Sequence, residues 1–277
     1  MGEGNPMSRD QTHAGLTASL KHTRIDLLGV GISDTNPDDV VRTVGYWLDQ
    51  GCNRYICVTP VSGVMAAQRN PAVMGVLNES GLTVPDGTPV VWAGRYAGAL
   101  NMRRVYGPEL MTSVCRRAVS AGWPSFFYGG KPGVADQLVQ QMRKKHPGIP
   151  IAGAATPPFR ELTEDELSRV ATDIDASGAR LVWIGISTPR QDLLMARLVK
   201  RLKGPVVLIG VGAAFDVHAG IVRRPPQWLG PLGLFWLYRL IQDPRRLGRR
   251  YLRDIPQFMV SVARRQPEKS DSGPGRV

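Results

Sequence analysis

The chain has 277 residues, 43% of them hydrophobic and 21% charged, so it is long and apolar enough to bury a sizeable core, which excludes a wholly disordered chain. Thirty-five Lys and Arg against 23 Asp and Glu give a formal charge of +12, a balance that calls for an anionic partner: nucleic acid, a phosphorylated ligand or an anionic membrane surface. Three cysteines without a CxxC pair argue against a disulfide framework and a structural zinc site and read as reduced thiols of a cytoplasmic protein, and no run of about 18 apolar residues is present to cross a membrane.

Residues 1–22 are polar and Gly-rich and are expected to be a disordered tail, with neither the apolar run of a signal peptide nor a myristoylation signal. Asn36-Pro37-Asp38-Asp39 then supplies an N-cap, a Pro at the first helical position and early acids, and so predicts a helix start. Tyr55–Thr59 and Leu82–Pro85 read as short strands. Gly107-Pro108-Glu109 opens a second helix, and Ser125–Tyr128 is a continuous apolar run before a helix over 132–146. Thr163-Glu164-Asp165-Glu166 is a capping box whose helix runs to about Ser177, ahead of Gly178. Leu181–Ile186, a helix over 190–203 and Val206–Val211 complete the series. Repeated strand–helix units of this kind predict an α/β fold with a Rossmann-like, doubly wound, mostly parallel sheet over residues 23–220.

The character changes near residue 221. Residues 221–277 carry 12 Lys and Arg against 4 Asp and Glu, so most of the excess charge lies in a fifth of the chain. Arg246, Arg249, Arg250 and Arg253 share one helical face, with Leu247, Tyr251, Leu252 and Ile255 on a more apolar side. This pattern suits a basic helical C-terminal appendage over 221–262 that meets an anionic membrane, or else a terminal helix with a solvated Arg face. Residues 263–277 are expected to form a second disordered tail.

Parallel sheets of this class bind ligands beyond the carboxyl ends of their strands, and the residues there are the candidates for chemistry. Gly129-Gly130-Lys131 follows a strand and opens a helix, which makes it either a phosphate cradle or a plain turn. Asp86, in Val-Pro-Asp-Gly, is either a turn residue or a carboxylate able to take a proton from an attacking hydroxyl. Gln191 and the Gly212 to Asp216 stretch lie at two further junctions, suited to hydrogen-bonding a polar ligand or to helix capping. His218 reads as structural.

Taken together, CVTPVSGVMAAQRNP, VPDGTPVVWAG, YGGKPGVADQL, GISTPRQD, GVGAAFDVHAG, RRPPQW and GLFWLYRLIQDPRRLGRRYL, running from about Arg24 to Phe258, resemble the WecG/TagA/CpsF glycosyltransferase family. The resemblance implies an inverting transfer of a sugar, of the N-acetylmannosamine, glucose or glucuronic type, from a UDP-sugar to a polyprenyl-diphosphate-linked saccharide. It implies a peripheral enzyme of cell-surface polysaccharide synthesis at the inner face of the membrane, with no cofactor and no metal. By the same resemblance Asp86 is the general base and Thr59 a catalytic neighbour near the acceptor. Gly129, Gly130 and Lys131 match the nucleotide-side loop and Gln191 the Gln of the PKQE-type motif, while Gly212 and Asp216 join the substrate-binding candidates on their own residue chemistry. Arg224, Arg239, Arg246 and Arg249 are appendage arginines suited to a diphosphate. Val61 stands where the family usually has Asn, Asp192 where it has Glu, and Phe235 where Glu is common. The partners expected are the two substrates and an anionic membrane, with no nucleic acid and with self-association left open. The alternative is a non-catalytic basic protein that binds nucleic acid or lipid, although no RNA- or DNA-binding motif is recognisable.

Overall fold

A computed structural model describes residues 22–224, 226, 229 and 235–270, apart from the side chains of Arg239, Arg246, Arg249, Arg250 and Ser270. Six parallel strands form its centre: β3 (Arg54–Thr59), β4 (Leu82–Pro85), β5 (Ser125–Gly129), β6 (Ile151–Ala155), β7 (Leu181–Gly185) and β8 (Val207–Gly210), in the order β4-β3-β8-β7-β5-β6. Successive strand residues point to opposite faces, so the continuous apolar runs feed two cores at once. Tyr55, Cys57, Phe126, Tyr128, Val182, Ile184 and Leu208 enter one. Ile56, Val58, Phe127, Leu181, Trp183, Val207 and Ile209 enter the other.

Helices cover both faces, as the doubly wound reading requires. On one side lie α1 (Pro37–Asp49), α5 (Gly107–Ala121), α6 (Val134–Lys145) and α9 (Ala214–His218). On the other lie α2 (Val61–Arg69), α3 (Pro71–Glu79), α4 (Thr88–Tyr96), α7 (Glu164–Ala176) and α8 (Arg190–Val199). The helix signals in the sequence act as expected. Asn36 accepts from the Asp38 and Asp39 N–H groups, and Thr163 and Glu166 close a reciprocal capping box. The helix read over 132–146 starts later, at Val134, because Gly133 takes a left-handed φ of 82° and serves as its N-cap.

A second sheet does not figure in the sequence reading. β1 (Arg24–Leu27) and β2 (Val30–Ser33) form a hairpin through Leu28 and Gly29, both at positive φ. The outer edge of β1 is covered by β9 (Glu268–Ser270), with Ile25 opposite Lys269. The expected disordered tail from 263 is therefore corrected over its first part: helix continues to Arg264, and residues 268–270 supply the hydrogen bonds that an open β1 edge would lack. Residues 1–21 and 271–277, also read as disordered, fall outside the described residues, while His22 is tied down by a 2.9 Å contact to Thr43 Oγ1.

The basic segment contains α10 (Phe235–Gln242) and α11 (Pro244–Arg264). It is not an independently packed unit. Phe258 is fully buried in the same core as β1 and α2, and the buried Asp254 carboxylate pairs with Arg69 at 3.1 Å. A boundary near 221 therefore marks a change of composition, while the packing runs across it.

Candidate functional site

A cleft of about 860 Å³ opens at the carboxyl ends of the parallel strands. Its floor comes from the turns after β3, β4, β5, β7 and β8, and its outer wall from α10 and α11. The first turns of α4, α5 and α8 border it, so the positive ends of three helix dipoles lie around the same space.

Asp86 is half-buried on this floor, immediately after β4. Its N–H donates to the Thr59 carbonyl at 3.0 Å, which continues the β3–β4 pairing by one rung and fixes the backbone that carries the carboxylate. Gly87 follows at φ 114°, a conformation that frees the chain to turn straight into α4. Thr59 itself is not brought to the cleft surface. It is 1% exposed, and its hydroxyl donates to the Cys57 carbonyl at 3.3 Å, so the structure gives it a place beneath the floor.

Gly129 and Gly130 form the tight exit from β5. At Gly129, φ is 150° and a Cβ would stand 2.6 Å from the Gly185 backbone, so no other residue fits where β5 and β7 run side by side. The Gly130 N–H donates to the Gly185 carbonyl at 2.9 Å. Gly130 and Lys131 line the cleft, with Lys131 exposed at its edge, while Gly129 supports the turn from behind.

Gln191 is 2% exposed at the start of α8 yet borders the cleft. Its Nε2 donates to Thr188 Oγ1 at 3.2 Å, and its Oε1 has no hydrogen-bond partner among the described residues. A buried acceptor left open at the foot of a cleft is a place for a ligand donor. Gly212, at φ 51°, and Asp216 line the same wall.

Arg224 is not among the cleft residues. Its Nη2 lies 3.2 Å from His218 Nδ1, and His218 Nε2 donates to the Pro108 carbonyl at 2.9 Å. Burial, and then the neighbouring cations, push the His218 imidazole down to about 4, which keeps it neutral and structural, as read from the sequence. The side chains of Arg239, Arg246 and Arg249 lie outside the described residues, although their backbones fall in α10 and α11.

The structure also brings in Arg104 and Asp254, which the sequence reading did not single out, and sets them beside residues that it did. Arg104 lines the cleft with its guanidinium 4.1 Å from the Phe235 ring centroid and 5.0 Å from that of Tyr106. The two rings hold the cation in place without neutralising it. They belong to a small apolar cluster with Leu229 that seats α10 on the loop before α5. Arg190, stacked 5.4 Å from the Phe159 ring, and Tyr251 and Asp254 of α11 complete the rim. An Arg between two aromatics separated by long stretches of chain leaves no local signal, so only the fold reveals this grouping.

Asp192 lies below the floor, 1% exposed, and neither carboxylate oxygen makes a hydrogen bond of good geometry among the described residues. The Cys57 thiol and Thr188 hydroxyl are its polar neighbours. Burial pushes the carboxyl up to about 7, against weaker opposing contributions from those two groups. The folded state thus holds a proton that the unfolded chain releases near pH 4, so the group lowers stability progressively from about pH 4 to 7 and by a constant amount above. Asp192→Asn is expected to raise stability at pH 8 by on the order of 2–4 kcal/mol and to leave it little changed at pH 4. Urea unfolding at the two pH values checks this, and equal effects at both would contradict it.

The chain's relatives fit this geometry. The family described as glycosyl transferase WecG/TagA/CpsF matches residues 25–272. One relative, from Bacillus spizizenii, is 29% identical over 220 residues, covering 79% of this chain and 82% of its own length, and is named N-acetylglucosaminyldiphosphoundecaprenol N-acetyl-beta-D-mannosaminyltransferase. The match spans the six-stranded sheet, every wall of the cleft and both helices of the basic segment, and the chain belongs to the WecG/TagA/CpsF family of glycosyltransferases.

Proposed function

We propose that this glycosyltransferase moves an N-acetylmannosamine-type or related hexose from a UDP-sugar to a saccharide linked to a polyprenyl diphosphate, with inversion at the anomeric carbon. The observation that carries the reading is the convergence in one cleft of a half-buried carboxylate, Asp86, with a cation, Arg104, that has no acidic partner among the described residues, and three helix N-termini. The name of the Bacillus relative supports the sugar and the acceptor.

Asp86 accepts the proton of the acceptor hydroxyl as that oxygen attacks the anomeric carbon. The bond from that carbon to the diphosphate oxygen breaks on the opposite face, and the electron pair leaves with UDP. Arg104, the positive ends of the helices that border the cleft and the arginines of α10 and α11 meet the negative charge that develops there. The open Gln191 Oε1 accepts from a sugar or base donor. No metal is needed in this scheme. Its support is the cationic lining: Arg104 and the positive helix ends supply the charge that a diphosphate leaving group needs.

The enzyme works at a membrane surface from the cytoplasmic side, held there by the basic segment. Among the described residues no helix is long and apolar enough to cross a bilayer, and the acceptor carries its own lipid anchor. The test is incubation with a panel of UDP-sugars and a short-chain polyprenyl-diphosphate-GlcNAc, with and without EDTA. UDP release confined to one donor and persisting under chelation is expected. Release with no donor would sink the reading, and activity restored only by Mg²⁺ or Mn²⁺ would sink its metal-free part.

A further inference from the structure

We propose that the outer face of α4, side by side with α11, is a second lipid-contacting surface built into the catalytic core, and that its partner is an anionic bilayer. The proposal rests on the membrane-surface reading above and extends it to residues outside the basic segment. Trp92 and Tyr96 are one helical turn apart on α4 and are 60% and 73% exposed, and Leu100 in the turn that follows is 91% exposed. None of the three lines the cleft. Two large aromatic groups on one face of a short helix, with a leucine in the turn beyond it, have a cost in water that a partner would remove. Trp and Tyr, with an apolar ring and a polar edge, suit the boundary between acyl chains and headgroups.

The neighbouring charges favour lipid over protein. Residues 88–104 contain Arg95, Arg103 and Arg104 and no acid. Arg95 and Arg103 are exposed beside the aromatic face. α4 packs against α11, and Gly98 lies next to Lys269 of β9. On α11, Leu252, Met259 and Val260 form an exposed apolar stripe bordered by exposed Arg253, Arg264 and Arg265, while its single acid, Asp254, is buried against Arg69. Two apolar stripes thus adjoin whose own helices expose only basic charges, Arg95 on α4 and Arg253 and Arg264 on α11, while the nearest acids, Asp26 against Arg265 at 3.7 Å and Asp39 against Asn101, are already paired; this is a charge pattern that an anionic leaflet selects. Both helices also border the cleft, through Thr88 and Pro89 on α4 and Tyr251 and Ile255 on α11. Resting this face on a bilayer turns the cleft mouth toward the layer in which a lipid-linked acceptor lies.

The experiment compares the full chain with Trp92→Ser/Tyr96→Ser in co-sedimentation with vesicles of phosphatidylglycerol and phosphatidylethanolamine, and with pure phosphatidylcholine. Wild type is expected to bind the anionic vesicles, and the double variant to partition roughly tenfold less or weaker. UDP release with a soluble short-chain acceptor is expected to stay unchanged, which shows that the variant folds. Equal vesicle binding by wild type and variant overturns this inference alone. Failure of wild type to bind overturns the membrane-surface reading with it. Equal vesicle binding together with a concentration-dependent dimer that only the wild type forms assigns the face to a second copy of the chain and likewise overturns the proposal.

Discussion

Asp86→Asn is expected to lower turnover by about 100-fold or more while leaving UDP affinity nearly unchanged, because general-base assistance is typically worth about 10²–10⁴-fold. Asn is nearly isosteric and keeps the backbone N–H that bonds to Thr59, so the β3–β4 rung and the turn into α4 are retained. What it removes is the site for the acceptor's proton. Single-turnover transfer and UDP titration calorimetry separate the two effects. Turnover within a few-fold of wild type would take Asp86 out of the base role, and a parallel loss of UDP affinity would make it a binding residue.

Arg104→Ala is expected to cost about 100-fold or more in turnover, since one donor lost from a site of developing charge typically costs about 2.7–4 kcal/mol. The residue that holds Arg104 matters here. Phe235 stands where the family resemblance expects Glu, and an aromatic face positions a guanidinium without cancelling its charge. Arg104→Lys is expected to recover part of the rate, because it keeps the charge and loses the planar fork. Phe235→Glu is expected to slow transfer while keeping the fold, because it would place a carboxylate beside the cation that the diphosphate needs. Kinetics of the three variants with a saturating donor check this, and a fast Arg104→Ala enzyme would transfer the role to the arginines of α10 and α11.

The parallel sheet was legible because its strands are buried on both faces and therefore read as unbroken apolar runs: Leu82–Pro85 appears in the structure with the same ends. Helices with explicit caps, such as those starting at Pro37 and Glu164, were equally plain. The segment Val61–Arg69 was not, because Pro60 gives it no side-chain cap and its small residues dilute the helical period. β6, Ile151–Ala155, escaped because an edge strand of Ala and Gly carries little apolar signal. β1, β2 and β9 are short, and a three-residue strand such as Glu268–Ser270 exists only through its partner.

The site divides along similar lines. Asp86, Gly130, Lys131, Gln191, Gly212 and Asp216 follow strands, and a parallel sheet delivers every such position to the same edge. Thr59 shares that position and still turns inward, because a side chain at the last rung of a strand points to one face or the other and only packing decides which. Arg104 and Phe235 meet through tertiary packing alone.

The pairing of β1 with β9 bears on how the molecule assembles. Ile25 waits for Lys269, so this small sheet joins segments from opposite ends of the described chain. During synthesis, β1 and β2 emerge early as a hairpin, while the strand that shields the open edge leaves the ribosome after the whole parallel sheet. Closing so large a loop costs entropy that grows only slowly with length, about 0.6 kcal/mol per doubling, but the encounter is late by construction. The nascent chain therefore carries an uncovered strand edge through most of its synthesis, and the final clasp of β9 is the step at which α11 becomes anchored at its far end.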